Sequence, residues 1–152
     1  MDFMGNKFWG DSDRASRIYL SRKMEPFGLG GSKFIFFVSI CRHPGITQAG
    51  VVKITLFDKT VVTRAVAAME EQGLIRREAD PGDRRVFHLY ATGDGERIYQ
   101  QVGEIVRDWN RKIYARLSWP GEEVEGLLKE IARANRQILQ EELQMDVVED
   151  NI

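Results

Sequence analysis

The chain has 152 residues, of which 43% are hydrophobic and 30% charged, a balance typical of one folded domain and not of a disordered chain. Its net charge of −1 excludes a strongly basic nucleic-acid binder, and no apolar run approaches the roughly 20 residues that a membrane span needs. One cysteine excludes an intrachain disulfide, and the amino terminus has no signal-like pattern, so we expect a reducing cytoplasm.

Charge is unevenly distributed along the chain. The last thirteen residues contain five acids and no lysine or arginine: Glu141, Glu142, Asp146, Glu149 and Asp150. Removing five negative charges from −1 leaves +4 for the rest. Residues 58–85 hold six bases and six acids, so a DNA footprint there must come from arrangement and not from bulk charge.

The first half of the chain reads as helices separated by short breaks. We predict a helix over residues 12–27, a glycine-rich break at 28–31, and a helix over 33–42 that Ser32 caps. The helix over 33–42 is apolar on nearly all sides, which predicts that it is buried. Thr47 then caps a short helix through Ile54, and Asp58 caps a clearer helix that ends at Gly73.

A β-hairpin follows. Residues 74–78 and 86–90 are β-like, and the run Asp-Pro-Gly-Asp-Arg-Arg at 80–85 makes the turn between them. Two arginines therefore sit where the hairpin doubles back, a device suited to DNA phosphates and the minor groove. Taken alone, a merely solvated charged turn explains the run equally well.

Two long helices close the chain. Thr92 caps the first, which runs to about Leu117 with apolar residues spaced by three or four. Trp119-Pro120-Gly121 turns the chain into the second, which also carries an apolar stripe.

The helix over 58–73 has two contrasting faces. Winding it at 100° per residue puts Val62, Ala65, Val66 and Met69 on one face, and Thr60, Arg64, Ala67 and Glu71 on the other. Small, hydroxylated and cationic side chains suit the major groove, where Arg64 could bind guanine through two hydrogen bonds. A generic amphipathic helix explains this helix in isolation. The order of short helix, turn, helix and arginine-tipped hairpin instead indicates a winged helix-turn-helix.

From about residue 25 to 98 the chain resembles the MarR-type (multiple antibiotic resistance regulator) winged-helix transcription factors. Six segments carry the resemblance in the same order and spacing: Glu25–Leu29, His43–Gln48, Asp58–Arg64, Met69–Ile75, Asp80–Arg85, and Thr92 with Gly95. Four positions depart from the family pattern, since Leu56 replaces a turn glycine, Thr55 a buried leucine, Gly30-Gly31 a more ordered cap, and Ala91 a leucine.

The resemblance implies a mainly α fold with a small β-hairpin wing. It implies an amino-terminal dimerisation helix (residues 1–31), a DNA-binding lobe (32–95), and carboxy-terminal dimerisation helices with the acidic tail (96–152). The protein would be a regulator, most often a repressor, that binds a palindromic operator in double-stranded DNA as a homodimer. It would act in a prokaryotic cytoplasm, without a cofactor or membrane association, and a small aromatic effector would release it from DNA.

The resemblance also implies roles for individual residues. Thr60, Thr63 and Arg64 would contact the major groove, and Arg85 would enter the minor groove with its side chain held by Asp83. Arg84 would be a second phosphate contact or a solvated neighbour. The remaining expected DNA contacts are Thr47, Gln48 and Lys59.

Seven aromatic residues could line an effector cavity or could equally form core and dimer contacts: Phe8, Trp9, Tyr19, Phe34, Phe37, Trp109 and Tyr114. Cys41 reads as a small buried hydrophobe, with a redox sensor or a peroxide enzyme as alternatives. Two distant histidines make a poor metal site, and no phosphate loop or nucleophilic triad is visible, so we do not expect an enzyme. The rival interpretation is a winged-helix module that binds a protein or ligand and does not read DNA.

Overall fold

The computed structural model describes residues 4–148, with side chains from Lys7 onward. Within that range it is mainly helical with one small sheet, which confirms the predicted fold class. The helices are α1 (Met4–Met24), α2 (Lys33–Arg42), α3 (Gln48–Thr55), α4 (Lys59–Glu71), α5 (Gly93–Tyr114) and α6 (Gly121–Leu143), with a 3₁₀ turn at Glu25–Phe27. The strands are β1 (Ile46–Thr47), β2 (Ile75–Ala79) and β3 (Phe87–Ala91).

The sheet is antiparallel, with β3 at its centre in the order β1-β3-β2. The predicted hairpin pairs in register from Ile75 opposite Ala91 to Ala79 opposite Phe87. The sequence did not predict β1, which has two residues and pairs Ile46 with Leu89. A strand this short carries no alternation to read, because its pairing depends on where β3 lies.

The core lies between α2, α4 and the sheet. Phe36, Phe37 and Ile40 of α2 are fully buried, as its apolar surface predicts. The α4 face that the sequence assigns to the interior is buried at all four positions, Val62, Ala65, Val66 and Met69. Each large apolar side chain buried in this way stabilises the fold by about 1.5–3 kcal/mol.

The start of α5 is joined tightly to the start of β2. Thr92 caps α5 as predicted, since its Oγ1 accepts from the Gly95 amide at 3.0 Å. The same hydroxyl donates to the Gly73 carbonyl at 2.5 Å. Gly95 is buried, and a Cβ there would lie 2.0 Å from the carbonyl oxygen of Leu74. Only glycine allows this close approach of helix and strand.

Two expectations about helix ends are wrong. The first helix begins at Met4 and not near residue 12. Ser32 makes no side-chain cap hydrogen bond because its backbone is already helical (φ −89°, ψ −4°). A backbone turn satisfies the first amides of α2 instead. In it the Phe34 amide donates to the Leu29 carbonyl, and the Ile35 amide donates to the Ser32 carbonyl.

The last helix and the segment after it lie differently in the fold. Although α6 has 23 residues, none of them is buried. Gln144 then reverses the chain with a left-handed backbone, and Val147 is buried. Arg136 connects the segment to α3 by donating to the carbonyls of Ile54 (2.7 Å) and Val148 (2.8 Å). Two acids of the tail, Glu149 and Asp150, lie outside the described residues.

No helix within residues 4–148 combines the length and the apolarity that crossing a bilayer requires.

Candidate nucleic-acid interface

Two capped helices, α3 and α4, form the helix-turn-helix. Thr47 Oγ1 accepts from the Gly50 amide at 3.1 Å, and Asp58 Oδ1 accepts from the Thr60 amide at 2.7 Å, so both predicted caps are confirmed. The bond from Thr60 also lowers the pKa of Asp58 by favouring its charged form. Leu56 ends α3 with φ +60°, a left-handed backbone that explains why glycine would suit this position.

The outer face of α4 is open to solvent along the line that the sequence predicts. Lys59, Thr60, Thr63 and Arg64 are all exposed. Thr63 is held by the helix itself, because its hydroxyl donates to the Lys59 carbonyl at 2.8 Å, and it also lies 3.5 Å from Gln48 Oε1. The second of these contacts places Gln48 of α3 beside Thr63 of α4. The hydroxyl of Thr47 has a different role, since it caps α3.

The turn of the wing, which we define as residues 80–86, is built on two carboxylates. Asp80 Oδ1 accepts from the amides of Gly82 (2.7 Å) and Asp83 (2.9 Å). Asp83 Oδ1 accepts from the amide of Arg85 at 2.9 Å. Asp83 thus orients Arg85 through its backbone, whereas the resemblance implied a pairing with its side chain. The guanidinium groups of Arg84 and Arg85 are exposed and have no ion pair with any described residue.

The balanced charge of residues 58–85 hides a separation of acids from bases. Three of the six acids, Asp58, Asp80 and Asp83, accept from backbone amides. Two more are paired with β2, Glu70 with Arg77 at 2.7 Å and Glu78 with Arg76. Of the six bases in residues 58–85, four form no ion pair with a described residue, and all four are exposed on α4 or the wing: Lys59, Arg64, Arg84 and Arg85. On this face four cationic side chains are therefore free to reach an anionic partner, against one acid without such a contact, Glu71 at the end of α4.

His88 connects the wing to the start of the helix-turn-helix. Its Nε2 lies 2.9 Å from Asp80 Oδ2, and its Nδ1 lies 2.8 Å from the carbonyl oxygen of Gly45. Hydrogen bonding to Asp80 and then to Gly45 raises the pKa of His88, while the same bond to His88 lowers the pKa of Asp80. Sequence reasoning assigned this histidine no role, because Gly45 is 43 residues away and only β1 pairing brings it near.

Two lysines beside the interface were also missed. Lys33, at the start of α2, borders the same surface hollow as Arg64. Lys53 of α3 borders a hollow with Gln48, Lys59 and Thr63, and it forms an ion pair with Asp146 after α6. Ala49, Val52 and Lys53 are spaced by three and four residues, so they lie on one face of α3. This spacing was the signal that could have placed Lys53 on an exposed face.

The seven aromatic residues considered for an effector cavity lie in different surroundings. Phe34 and Phe37 belong to the core, whereas Phe8 and Trp9 are exposed by 60% and 52% on α1. Tyr19 stacks on Trp109 with ring centroids 4.2 Å apart. The ring of Tyr114, which is half-buried, packs against Gly121.

A hollow between α1 and α5 contains one of these rings. It has a volume of about 350 Å³ and is lined by Tyr19, Lys23, Phe27, Gln101, Glu104, Ile105 and Asp108. Its mixed lining offers two aromatic rings, one cation and two carboxylates to a small polar aromatic molecule.

Cys41 is half-buried beside the core. Burial, and then the negative charge of Glu96, raises the pKa of its thiol to about 12. Since the thiolate is the reactive form, we expect Cys41 to react slowly at neutral pH. Residues 4–148 contain no cluster of three or more histidine, cysteine or acidic side chains arranged for a metal ion.

Sequence comparison finds relatives over the winged-helix part of the chain. The sequence model of the MarR family matches residues 27–86. The transcriptional regulator HosA of Escherichia coli O111:H- is 34% identical over 87 residues, which are 57% of this chain and 63% of that protein. The regulator BilQ of Clostridioides difficile is 24% identical over 97 residues, or 64% and 66% of the two chains. The chain thus matches less than two thirds of each relative's length.

Comparison with solved structures extends the likeness to the whole fold. The transcriptional regulator SlyA has a TM-score of 0.79 at 24% identity, covering 89% of this chain and 94% of its own. A MarR-type protein from Listeria monocytogenes, solved with a 26mer DNA, has a TM-score of 0.80 at 22% identity, covering 91% and 90%. The long terminal helices therefore belong to the shared architecture as well as the winged lobe.

Proposed function

We propose that this chain is a DNA-binding transcriptional regulator of the MarR type, because the MarR family model matches its winged-helix lobe and a transcriptional regulator is 34% identical to it over 87 residues. It acts as a repressor in the cytoplasm, binds a palindromic operator as a homodimer, and is released by a small aromatic effector. The observation that carries this proposal is the separation of charge on the winged lobe. Five of the six acids in residues 58–85 cap a helix, build the turn or pair with an arginine of β2, and four cations without an ion pair are exposed on α4 and the wing.

Each element has a part in DNA binding. The outer face of α4 enters the major groove, where Thr60 and Thr63 contact phosphates or base edges and Arg64 reads guanine. Arg85 enters the minor groove, and Arg84 contacts a phosphate nearby. A protein of the same architecture from Listeria monocytogenes was solved with a 26mer DNA, which supports this use of the fold.

The terminal helices supply the dimer. Helices in proteins owe most of their stability to the packing of an apolar face, and no residue of α6 is buried, so we infer that α6 packs against a partner. Large apolar residues are exposed on it and on α1, including Leu127, Leu128, Ile138 and Ile18. A second copy of the chain would cover these residues and set the two winged lobes one helical turn of DNA apart, about 34–36 Å.

The effector acts through the hollow between α1 and α5. One wall of the hollow is α1, a dimerisation helix. The other wall is α5, which begins two residues after the end of β3 in the wing. A ligand that fills the hollow can favour a lobe spacing that misfits successive major grooves, provided that it binds that spacing more tightly. Titration with a panel of hydroxybenzoates, followed by loss of DNA binding, tests this part.

A gel shift with the DNA upstream of the protein's own gene tests the proposal. We expect a shifted band that a scrambled duplex of equal length and composition does not give, and an affinity that falls as salt rises. Equal binding to both duplexes would contradict operator recognition. No binding to either at low salt would favour the rival, a winged module for a protein or ligand.

A further inference from the structure

The side chain of His88 joins the wing turn to the segment before α3. It lies at the centre of the sheet on β3, with about a third of its side chain exposed. One ring nitrogen faces the Asp80 carboxylate, on which the wing turn is built, and the other faces the Gly45 carbonyl. We propose that protonated His88 is a positioning residue for DNA binding, which fixes the arginines of the wing relative to the helix-turn-helix.

The geometry requires two donors on one ring. Both partners, a carboxylate and a backbone carbonyl, can only accept hydrogen bonds. A neutral imidazole has one N–H, so it satisfies one partner and turns a lone pair toward the other. The imidazolium has an N–H on each side and satisfies both. The charged ring also neutralises Asp80, which already accepts from two amides of the turn.

The groups around His88 are few. From β2, Glu78 lies directly opposite it and pairs with Arg76, and from β1 the opposite residue is Thr47. The segment before β1 contributes the Gly45 carbonyl to the ring and contains one further titratable residue, His43, and the turn contributes Asp80. Asp80 is therefore the acid that faces the ring, in agreement with the raised pKa of His88.

The direction of the pH dependence follows from that raised pKa. Protonation of His88 contributes fully to the wing's order below the ordinary histidine pKa of about 6.5. The contribution is lost as pH rises through the higher pKa of the folded protein. We therefore expect DNA affinity to fall about three- to tenfold across that rise, the effect of losing one hydrogen bond.

The inference rests on the proposed DNA-binding function, and the experiment separates the two. Affinity for the upstream DNA is measured by fluorescence anisotropy from pH 6 to 9 at constant salt. The variant His43→Gln leaves one histidine, so that the ring titration seen by NMR belongs to His88. We expect this variant to keep the fall in affinity at the pH where the ring loses its proton.

Two substitutions at the network predict opposite outcomes. His88→Gln cannot donate in two opposite directions, so its affinity should be low and independent of pH. Asp80→Asn can donate to a neutral ring, whose other nitrogen still donates to Gly45, so its affinity should stay high at alkaline pH. A fall in Asp80→Asn equal to that of the wild type would overturn the inference, since it would mean that the ring acts through its charge on DNA alone. A fall in His88→Gln, or none in the wild type, would do the same.

Hydrogen exchange of the free protein gives a readout without DNA. The amides of Gly82 and Asp83 donate to Asp80, so their protection factors should drop as His88 loses its proton and should be low in His88→Gln at all pH values. Should no variant bind DNA, the proposed function fails, and these protection factors still decide whether His88 holds the wing. Unchanged protection factors would mean that His88 does not hold the wing turn, and would overturn the inference.

Discussion

Substitution of Gly95 by alanine tests the junction between the wing and α5. The new Cβ would lie 2.0 Å from the carbonyl oxygen of Leu74, far inside contact distance, and backbone cannot rotate out of the way as a side chain can. That carbonyl also accepts from the Thr92 amide at 3.0 Å, so moving the helix away weakens an existing bond. Overpacking costs about 1–3 kcal/mol and a weakened hydrogen bond about 0.5–1.5 kcal/mol. Gly95→Ala should therefore lower the free energy of unfolding by about 2–4 kcal/mol.

The matched control lies two residues earlier. A Cβ at Gly93 meets nothing within 4 Å, and its backbone does not need glycine, so Gly93→Ala should be neutral or slightly stabilising. Urea denaturation followed by circular dichroism, at one protein concentration because association contributes to stability, measures both variants. Unfolding free energies of the two variants within 0.5 kcal/mol of each other would refute the reasoning about this junction.

Three further predictions concern other parts of the fold. Leu56→Gly should be about 1 kcal/mol more stable than Leu56→Ala in the same urea assay, because only glycine accepts φ +60° without strain, and equal stabilities would argue against that strain. Cys41, with a thiol pKa near 12, should react with iodoacetamide at pH 8 far more slowly in the native protein than in urea, and equal rates would mean an accessible thiolate. The wild type should sediment as a dimer at micromolar concentration, whereas the double variant Leu127→Glu/Leu128→Glu should be monomeric and Lys129→Glu, on the same helix, should remain a dimer. A monomeric wild type would contradict the role of α6.

Local rules predicted most of the winged lobe from the sequence. Thr47, Asp58 and Thr92 were expected to cap helices, and each accepts the amide that its position demands. The inner face of α4 followed from a period of 3.6 residues, and the hairpin followed from Pro81 and Gly82 between two β-like stretches.

What the sequence did not predict depends on contacts between distant segments. The pairing of β1 with β3 brings Gly45 to His88, and no local pattern of two residues indicates it. Ser32 has the right side chain for a cap but a backbone turn leaves it no amide to satisfy. The separation of acids from bases was also invisible in a count of six against six, because Arg76 and Arg77 find their partners only once β2 is formed.

Three assignments stay predictions. They are the individual DNA contacts, the effector hollow, and the division of the chain into a DNA-binding lobe between two dimerisation regions. Among these predictions, the role of the wing is the one that a single experiment tests most directly. The Arg85 amide is held by Asp83, and its side chain is exposed with no ion pair among described residues, so Arg85→Ala leaves the internal contacts intact and would remove only the proposed DNA contact.

The affinity of Arg85→Ala for the upstream DNA tests the central claim most directly. Arg97→Ala is the control, since Arg97 is an exposed arginine of α5 that pairs with Asp94 of the same helix, and its loss changes net charge equally. Fluorescence anisotropy at fixed salt should show Arg85→Ala binding weaker by about 1–3 kcal/mol, roughly 5- to 150-fold. Arg97→Ala should bind nearly as well as the wild type. Equal affinities for the two folded variants would contradict a wing that reads DNA.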